Sequence, residues 1–207
     1  MEFILPKIYP VTDTRISGLS HAEQVKKLIA GGAALIQLRE KHASPRAFYE
    51  AAKEALRIAR AHDIKLIIND RVDIALALGA DGAHLGQDDL PPEHARRILG
   101  PGAIIGFSTH SVRQAVEAIQ RPVDYIAIGP VFPTGTRDNP DAVVGLDGLR
   151  AVRERTGGFS LVAIGGITSK NLPQVLGAGA DSAAIISDVL SNPANITGKL
   201  AELLNLA

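Results

Sequence analysis

Along the chain, short apolar runs recur at 8–11, 35–38, 65–68, 82–85, 104–107, 125–128, 161–164 and 183–186. Within each run the apolar residues are largely consecutive and do not alternate with polar ones. That pattern belongs to strands buried on both faces, as in a parallel sheet. Helical spacing fills the gaps. Ala22, Val25, Leu28 and Ile29 share one face, as do Phe48, Ala51, Ala52, Ala55, Ile58 and Ala59. Val112, Ala115, Val116 and Ile119 repeat the pattern, followed by Leu172, Val175 and Leu176, and by Ile196, Leu200, Leu203 and Leu204. Ser44-Pro45 and Asp89-Leu90-Pro91-Pro92 supply helix start signals.

The turns fall into two kinds. Helix-to-strand turns use small residues: Gly31-Gly32-Ala33, Gly79-Ala80-Asp81 and Gly179-Ala180-Asp181. There glycine is expected to end a helix in a left-handed conformation. Strand-to-helix turns are polar and varied, and the longest runs from 130 to 144. One end of the sheet is structural and the other chemical, as in a TIM barrel, whose sites sit at the C-terminal ends of the strands. Eight strand–helix units predict an α/β fold with a single (β/α)8 TIM barrel, one domain over 1–207. A doubly wound open sheet is the alternative, weakened by the lack of a GxGxxG or P-loop after any strand.

Composition narrows the function classes. The 207 residues are 46% hydrophobic, enough for one sizeable core. Cysteine is absent, which excludes disulfides, thiolate metal clusters and a thiol nucleophile. Lys+Arg and Asp+Glu balance at 22 each, so no general nucleic-acid or acidic-membrane surface is expected. Acidic Glu2 and Pro6 within a short apolar start argue against a secretory signal, and no apolar stretch is long enough to span a membrane. A cytoplasmic location is the expectation. Sequence does not decide between a monomer and a homo-oligomer.

The strand ends carry the candidate chemistry. Alternation places Gln37, Arg39 and Lys41 on one side of the second strand's end, where two cations and an amide suit a polyphosphate or form a solvated turn. Asp70 and Asp89 follow the third and fourth strands. They are candidates to share a magnesium ion, or to serve as N-caps of the following helices. His84, and His110 within Ser108-Thr109-His110, read as hydrogen-bonded structural residues with no catalytic role assigned. Thr134, Gly135, Thr136 and Arg137 form a loop that suits an anion or is an ordinary mobile connection. Gly165-Gly166 and Ile186-Ser187 end strands seven and eight, where TIM barrels frequently bind phosphate.

Over its whole length the chain resembles the thiamine phosphate synthase family. The resemblance rests on Tyr9-Pro10-Val11-Thr12-Asp13, Gln37-Leu38-Arg39-Glu40-Lys41, Ile68-Asn69-Asp70-Arg71, His84-Leu85-Gly86-Gln87-Asp88-Asp89, Gly106-Phe107-Ser108-Thr109-His110, Gly129-Pro130-Val131-Phe132-Pro133-Thr134 and Ala163-Ile164-Gly165-Gly166-Ile167. It implies a transferase joining hydroxymethylpyrimidine pyrophosphate to hydroxyethylthiazole phosphate with release of pyrophosphate. Gln37, Leu38, Arg39, Glu40, Lys41 and Asn69 would bind the pyrimidine substrate, with Ser108 and Arg137 completing its site. Asp70 and Asp89 would hold Mg2+. Thr134, Gly135 and Thr136 would meet the thiazole, and Gly166, Ile186 and Ser187 its phosphate. Arg39, Lys41, Ser108 and Arg137 would be catalytic, through a largely dissociative reaction. Two departures stand out: Arg137 replaces the family's usual lysine, and Gly135 a frequent threonine. A thiazole tautomerase or a non-catalytic thiazole-phosphate-binding relative is the alternative; Lys41, Gln87 and Asp89 favour the synthase.

Overall fold

A computed structural model describes residues 4–136 and 141–207. Eight parallel strands follow one another around a closed barrel: β1 (Ile8–Thr12), β2 (Leu35–Leu38), β3 (Lys65–Asn69), β4 (Gly82–Leu85), β5 (Ile104–Thr109), β6 (Tyr125–Ile128), β7 (Leu161–Ile164) and β8 (Ser182–Ile185). Pairing of Ile8, Tyr9 and Pro10 with Ala183, Ala184 and Ile185 closes the ring. The fold is a (β/α)8 TIM barrel, which rules out the open sheet. β1, β3 and β5 run beyond their apolar runs into Thr12, Asn69 and Thr109. The neighbouring strand still offers a partner there, as in Thr12↔Leu38, Asn69↔His84 and Thr109↔Ile128. Hydrogen-bonded pairing thus outlasts the apolar pattern.

The helices are α1 (Thr14–Ser17), α2 (His21–Ala30), α3 (Pro45–Arg60), α4 (Val72–Leu78), α5 (Pro92–Leu99), α6 (Val112–Ala118), α7 (Gly145–Thr156), α8 (Leu172–Gly177), α9 (Ser187–Leu190) and α10 (Ile196–Leu206). Strand alternation sorts the core into two. Outward residues such as Ile36, Leu38, Ile68 and Leu85 are buried in the core that also contains Leu28, Phe48 and Leu56 of the helices. Inward residues form a second core within the barrel, including Tyr9, Leu35, Ile67, Ile104, Tyr125 and Val162.

At the N-terminal face the small turns have a defined job. Asp81, Asp124 and Asp181 each precede a strand and accept the first or second backbone N–H of the strand before it: Leu66 at 2.8 Å, Ile105 at 2.6 Å and Leu161 at 2.8 Å. Arg96 and Arg153 pair with two of these aspartates at 2.6 and 2.5 Å. Of the turn glycines, Gly32, Gly79 and Gly179 take positive φ, while Gly31 stays right-handed at the helix end.

Candidate active site

Inside the barrel the inward positions become polar toward the strand C-termini. Above the layer of Leu35, Ile67, Ile104 and Val162 stand Gln37, Asn69, His84 and Ser108, which line the floor and wall of a cavity of about 470 Å³. Arg39, Lys41, Asp70 and Asp89 line the same cavity, as do Thr134, Thr136, Gly166, Ile186 and Ser187. The strand-end residues singled out in sequence are therefore largely brought together. Leu38 and Glu40 lie elsewhere. Leu38 is fully buried in the outer core. Glu40 accepts the backbone N–H groups of His42 and Ala43 and the Thr14 hydroxyl. Gly135 is not among the cavity-lining residues. Arg137 lies outside the described residues.

The N-cap reading of the two carboxylates is corrected. The residue at the cap position of α4 is Arg71 and that of α5 is Pro91, and neither helix has a side-chain cap. Asp70 has φ 62°, a left-handed conformation that aspartate tolerates better than most residues. Its side chain pairs with Lys41 instead of reaching forward into α4. Asp89 accepts the Gly86 N–H at 2.7 Å, closing its own loop. Burial and, against the Gly86 hydrogen bond, the neighbouring Asp70 carboxylate hold the Asp89 carboxyl above its ordinary range. Two crowded carboxylates beside one lysine are a donor set that a divalent cation would relieve. Among the described residues no cluster of three or more histidines and carboxylates could hold a metal. By its chemistry, a pair of carboxylates suits an ion that takes few protein ligands and completes its shell with water and substrate oxygens.

Three groups of the cavity differ in how far the protein satisfies them. Asn69 is buried with its Nδ2 unpartnered, a donor directed at no protein acceptor. Arg39 Nη1 reaches Asp13 Oδ2 at 2.5 Å, and Asp13 also accepts two backbone N–H groups at the start of α1. The guanidinium is thus anchored from behind. His84 donates or accepts at both ring nitrogens, with Tyr125 Oη at 3.0 Å and Ser108 Oγ at 2.8 Å. Burial lowers its pKa to about 4, keeping the imidazole neutral.

On the opposite wall, the loop after β6 is laced onto the end of β7. Val131 and Phe132 donate to the carbonyls of Ile164 and Gly165 at 2.9 and 3.0 Å. Gly166 has φ 64°, and a Cβ there would lie 2.6 Å from the Pro133 carbonyl oxygen and 2.7 Å from Phe132 Cβ. Asp188, the anionic residue after Ser187, turns away: its side chain accepts the Ser169 N–H at 3.0 Å and pairs with Lys199 at 3.3 Å. It does not line the cavity.

A second, shallow depression lies outside the barrel between α3 and α4. Two of its arginines are engaged, Arg57 with Glu54 at 2.8 Å and Arg60 with the Leu78 carbonyl at 3.1 Å.

The family model described as thiamine monophosphate synthase matches residues 8–189. The chain belongs to that family. It is 45% identical over 208 residues to the thiamine-phosphate synthase of Koribacter versatilis, covering 97% of each chain. It is 44% identical to the thiamine-phosphate synthase of Clostridium novyi, covering 97% of this chain and 98% of the relative. Among solved structures, thiamine phosphate pyrophosphorylase from Pyrococcus furiosus superposes with a TM-score of 0.86 at 40% identity, covering 97% of this chain and 94% of the other. Family membership makes the cavity at the strand C-termini the candidate substrate site. The residues missed in sequence are the buried Tyr9 and Tyr125, which join Gln37 to His84 from within the barrel. They sit inside apolar runs, where a tyrosine reads as core. Their only outward sign is Gly106, a glycine in a central strand.

Proposed function

We propose that the chain is a thiamine-phosphate synthase, a magnesium-assisted cytoplasmic transferase that joins hydroxymethylpyrimidine pyrophosphate to hydroxyethylthiazole phosphate. The observation that carries this reading is the family match, supported by the convergence of Lys41, Asp70, Asp89, Asn69 and Ser108 on one cavity. Gln37 and Asn69 bind the pyrimidine, Asn69 through its unpartnered amide. Arg39, Lys41 and Ser108 receive the pyrophosphate, and Arg137 is assigned to it through the resemblance alone. Thr134 and Thr136 face the thiazole, and Gly166, Ile186 and Ser187 its phosphate. Asp70 and Asp89 would hold magnesium, which when bound would neutralise part of the pyrophosphate charge.

The reaction breaks the bond from the pyrimidine methylene to pyrophosphate oxygen, and the electron pair leaves with pyrophosphate. The methylene cation, stabilised by the amino-pyrimidine, accepts the lone pair of the thiazole nitrogen. Preorganised cations and donors around the leaving group lower the barrier because negative charge develops there. Arg39 is suited to this because Asp13 fixes it before substrate arrives, so less reorganisation is needed.

The metal arm of this reading is tested with Asp70→Ala and Asp89→Ala. Each should keep its circular dichroism spectrum and lose most turnover, read as thiamine phosphate by mass. Full wild-type turnover in excess chelator would remove magnesium from the account.

A further inference from the structure

A file of hydrogen bonds crosses the barrel beneath the cavity. Gln37 Nε2 donates to Tyr9 Oη at 3.1 Å, and Tyr9 Oη lies 3.0 Å from Tyr125 Oη. Tyr125 Oη lies 3.0 Å from His84 Nδ1, and His84 Nε2 lies 2.8 Å from Ser108 Oγ. The two ends, Gln37 and Ser108, line the cavity, while Tyr9 and Tyr125 are fully buried.

Space for this file is made by a glycine. His84, Gly106 and Tyr125 sit side by side in register on β4, β5 and β6. A Cβ on Gly106 would lie 2.3 Å from Tyr125 Oη and 2.5 Å from His84 Nδ1, inside their hydrogen bond. The two rings stack across the gap, with centroids 5.5 Å apart and planes 25° from parallel.

Proton counting gives the file a direction. A hydroxyl donates one proton, and a neutral imidazole donates at one nitrogen and accepts at the other. With the Gln37 amide N–H pointing at Tyr9, Tyr9 donates to Tyr125 and Tyr125 donates to His84 Nδ1. His84 then carries its proton on Nε2 and donates to Ser108 Oγ. The Ser108 proton is left for the cavity. In the reversed order Ser108 donates to His84 and shows only lone pairs to the cavity, which repel an anionic oxygen.

We infer that Tyr9, Tyr125 and His84 are positioning residues that set the Ser108 hydroxyl as a hydrogen-bond donor toward an oxyanion in the cavity. Tyr9 and Tyr125 are buried away from the cavity and His84 lies at its wall with both ring nitrogens engaged, so all three act through Ser108. The identity of that oxyanion as a pyrophosphate oxygen rests on the function proposed above. A chain of polarised hydrogen bonds also strengthens its terminal donor.

Two measurements test the inference. In protein labelled with 15N histidine, with the resonance assigned by its loss in His84→Gln, His84 should be the Nε2–H tautomer with Nδ1 unprotonated. The Nδ1–H tautomer in the unliganded wild type would overturn the inference without any assay. The second is a double-mutant cycle on kcat/KM for the pyrimidine substrate. Tyr125→Phe and Ser108→Ala should each lower it about tenfold, and the double variant should fall no more than about twofold further. Multiplying losses would mean that Tyr125 serves the fold and not Ser108. If Tyr125→Phe does not fold, Tyr9→Phe replaces it, with a smaller loss expected and again none in the Ser108→Ala background. The same variants titrated with magnesium pyrophosphate complete the cycle without turnover. A wild type that binds pyrophosphate through this cycle yet makes no product would overturn the synthase reading and leave the positioning file standing.

Discussion

At the scale of single residues, backbone conformation decides what a side chain can do. Asp70 follows a strand and precedes a helix, so in sequence a cap and a metal ligand are equally served by it. Its φ of 62° turns the carboxylate back toward Lys41 and away from α4, and that angle is not written in the residue type. Gly166 makes the same point. Its type says only that no side chain blocks a phosphate, whereas its φ of 64° and the closeness of Pro133 and Phe132 leave no room for an added carbon. Gly166→Ala should therefore cost about 1–3 kcal/mol of stability, measured by chemical denaturation. It should also weaken both substrates through displacement of the loop after β6. A variant of wild-type stability would show that the loop relaxes freely. By contrast, the side that Gln37 faces was legible from alternation along its strand, whereas Asn69 and Ser108 were named through the resemblance.

At the scale of elements, apolar runs located every strand because parallel strands covered on both faces must be apolar throughout. Their polar C-terminal extensions were not legible, since the pairing that defines them depends on the adjacent strand. Nor was the use of the GAD aspartates, whose partners lie 15 and 20 residues earlier in the chain, at Leu66 and Leu161. These residues hold the face opposite the cavity, so stability and chemistry separate. Asp124→Ala leaves the Ile105 N–H without its acceptor and Arg96 without its carboxylate partner. The expected loss is about 1–3 kcal/mol in denaturant unfolding, mostly from the stranded backbone donor, with kcat/KM of the folded protein unchanged. A matching fall in kcat/KM would mean that the two faces are mechanically coupled.

At the scale of the whole molecule, the barrel and its helices bury polar groups along with apolar ones. His84 and His21 are both held below the ordinary histidine range, first by burial. For His84 the folded pKa is about 4 against an unfolded value near 6.5. Between those values the unfolded chain takes up a proton that the folded chain refuses, so stability falls as pH drops from 6.5 toward 4. The His84 share is about 3 kcal/mol in all. The Asp89 carboxyl, shifted the other way, opposes part of the loss. In the metal-free protein, His84→Gln should reduce the slope of unfolding free energy against pH by up to about 1.4 kcal/mol per pH unit in that window. An unchanged slope would place the proton uptake elsewhere. The architecture was readable from the two kinds of turn, and the chemistry from the resemblance carried by residues at successive strand ends. The most direct measurement of the central claim is to incubate the protein with both substrates and magnesium and to quantify both products by mass. Thiamine phosphate and pyrophosphate should appear in equal amounts, and neither when one substrate is omitted. No thiamine phosphate, or isomerisation of a carboxylated thiazole alone, would contradict the account.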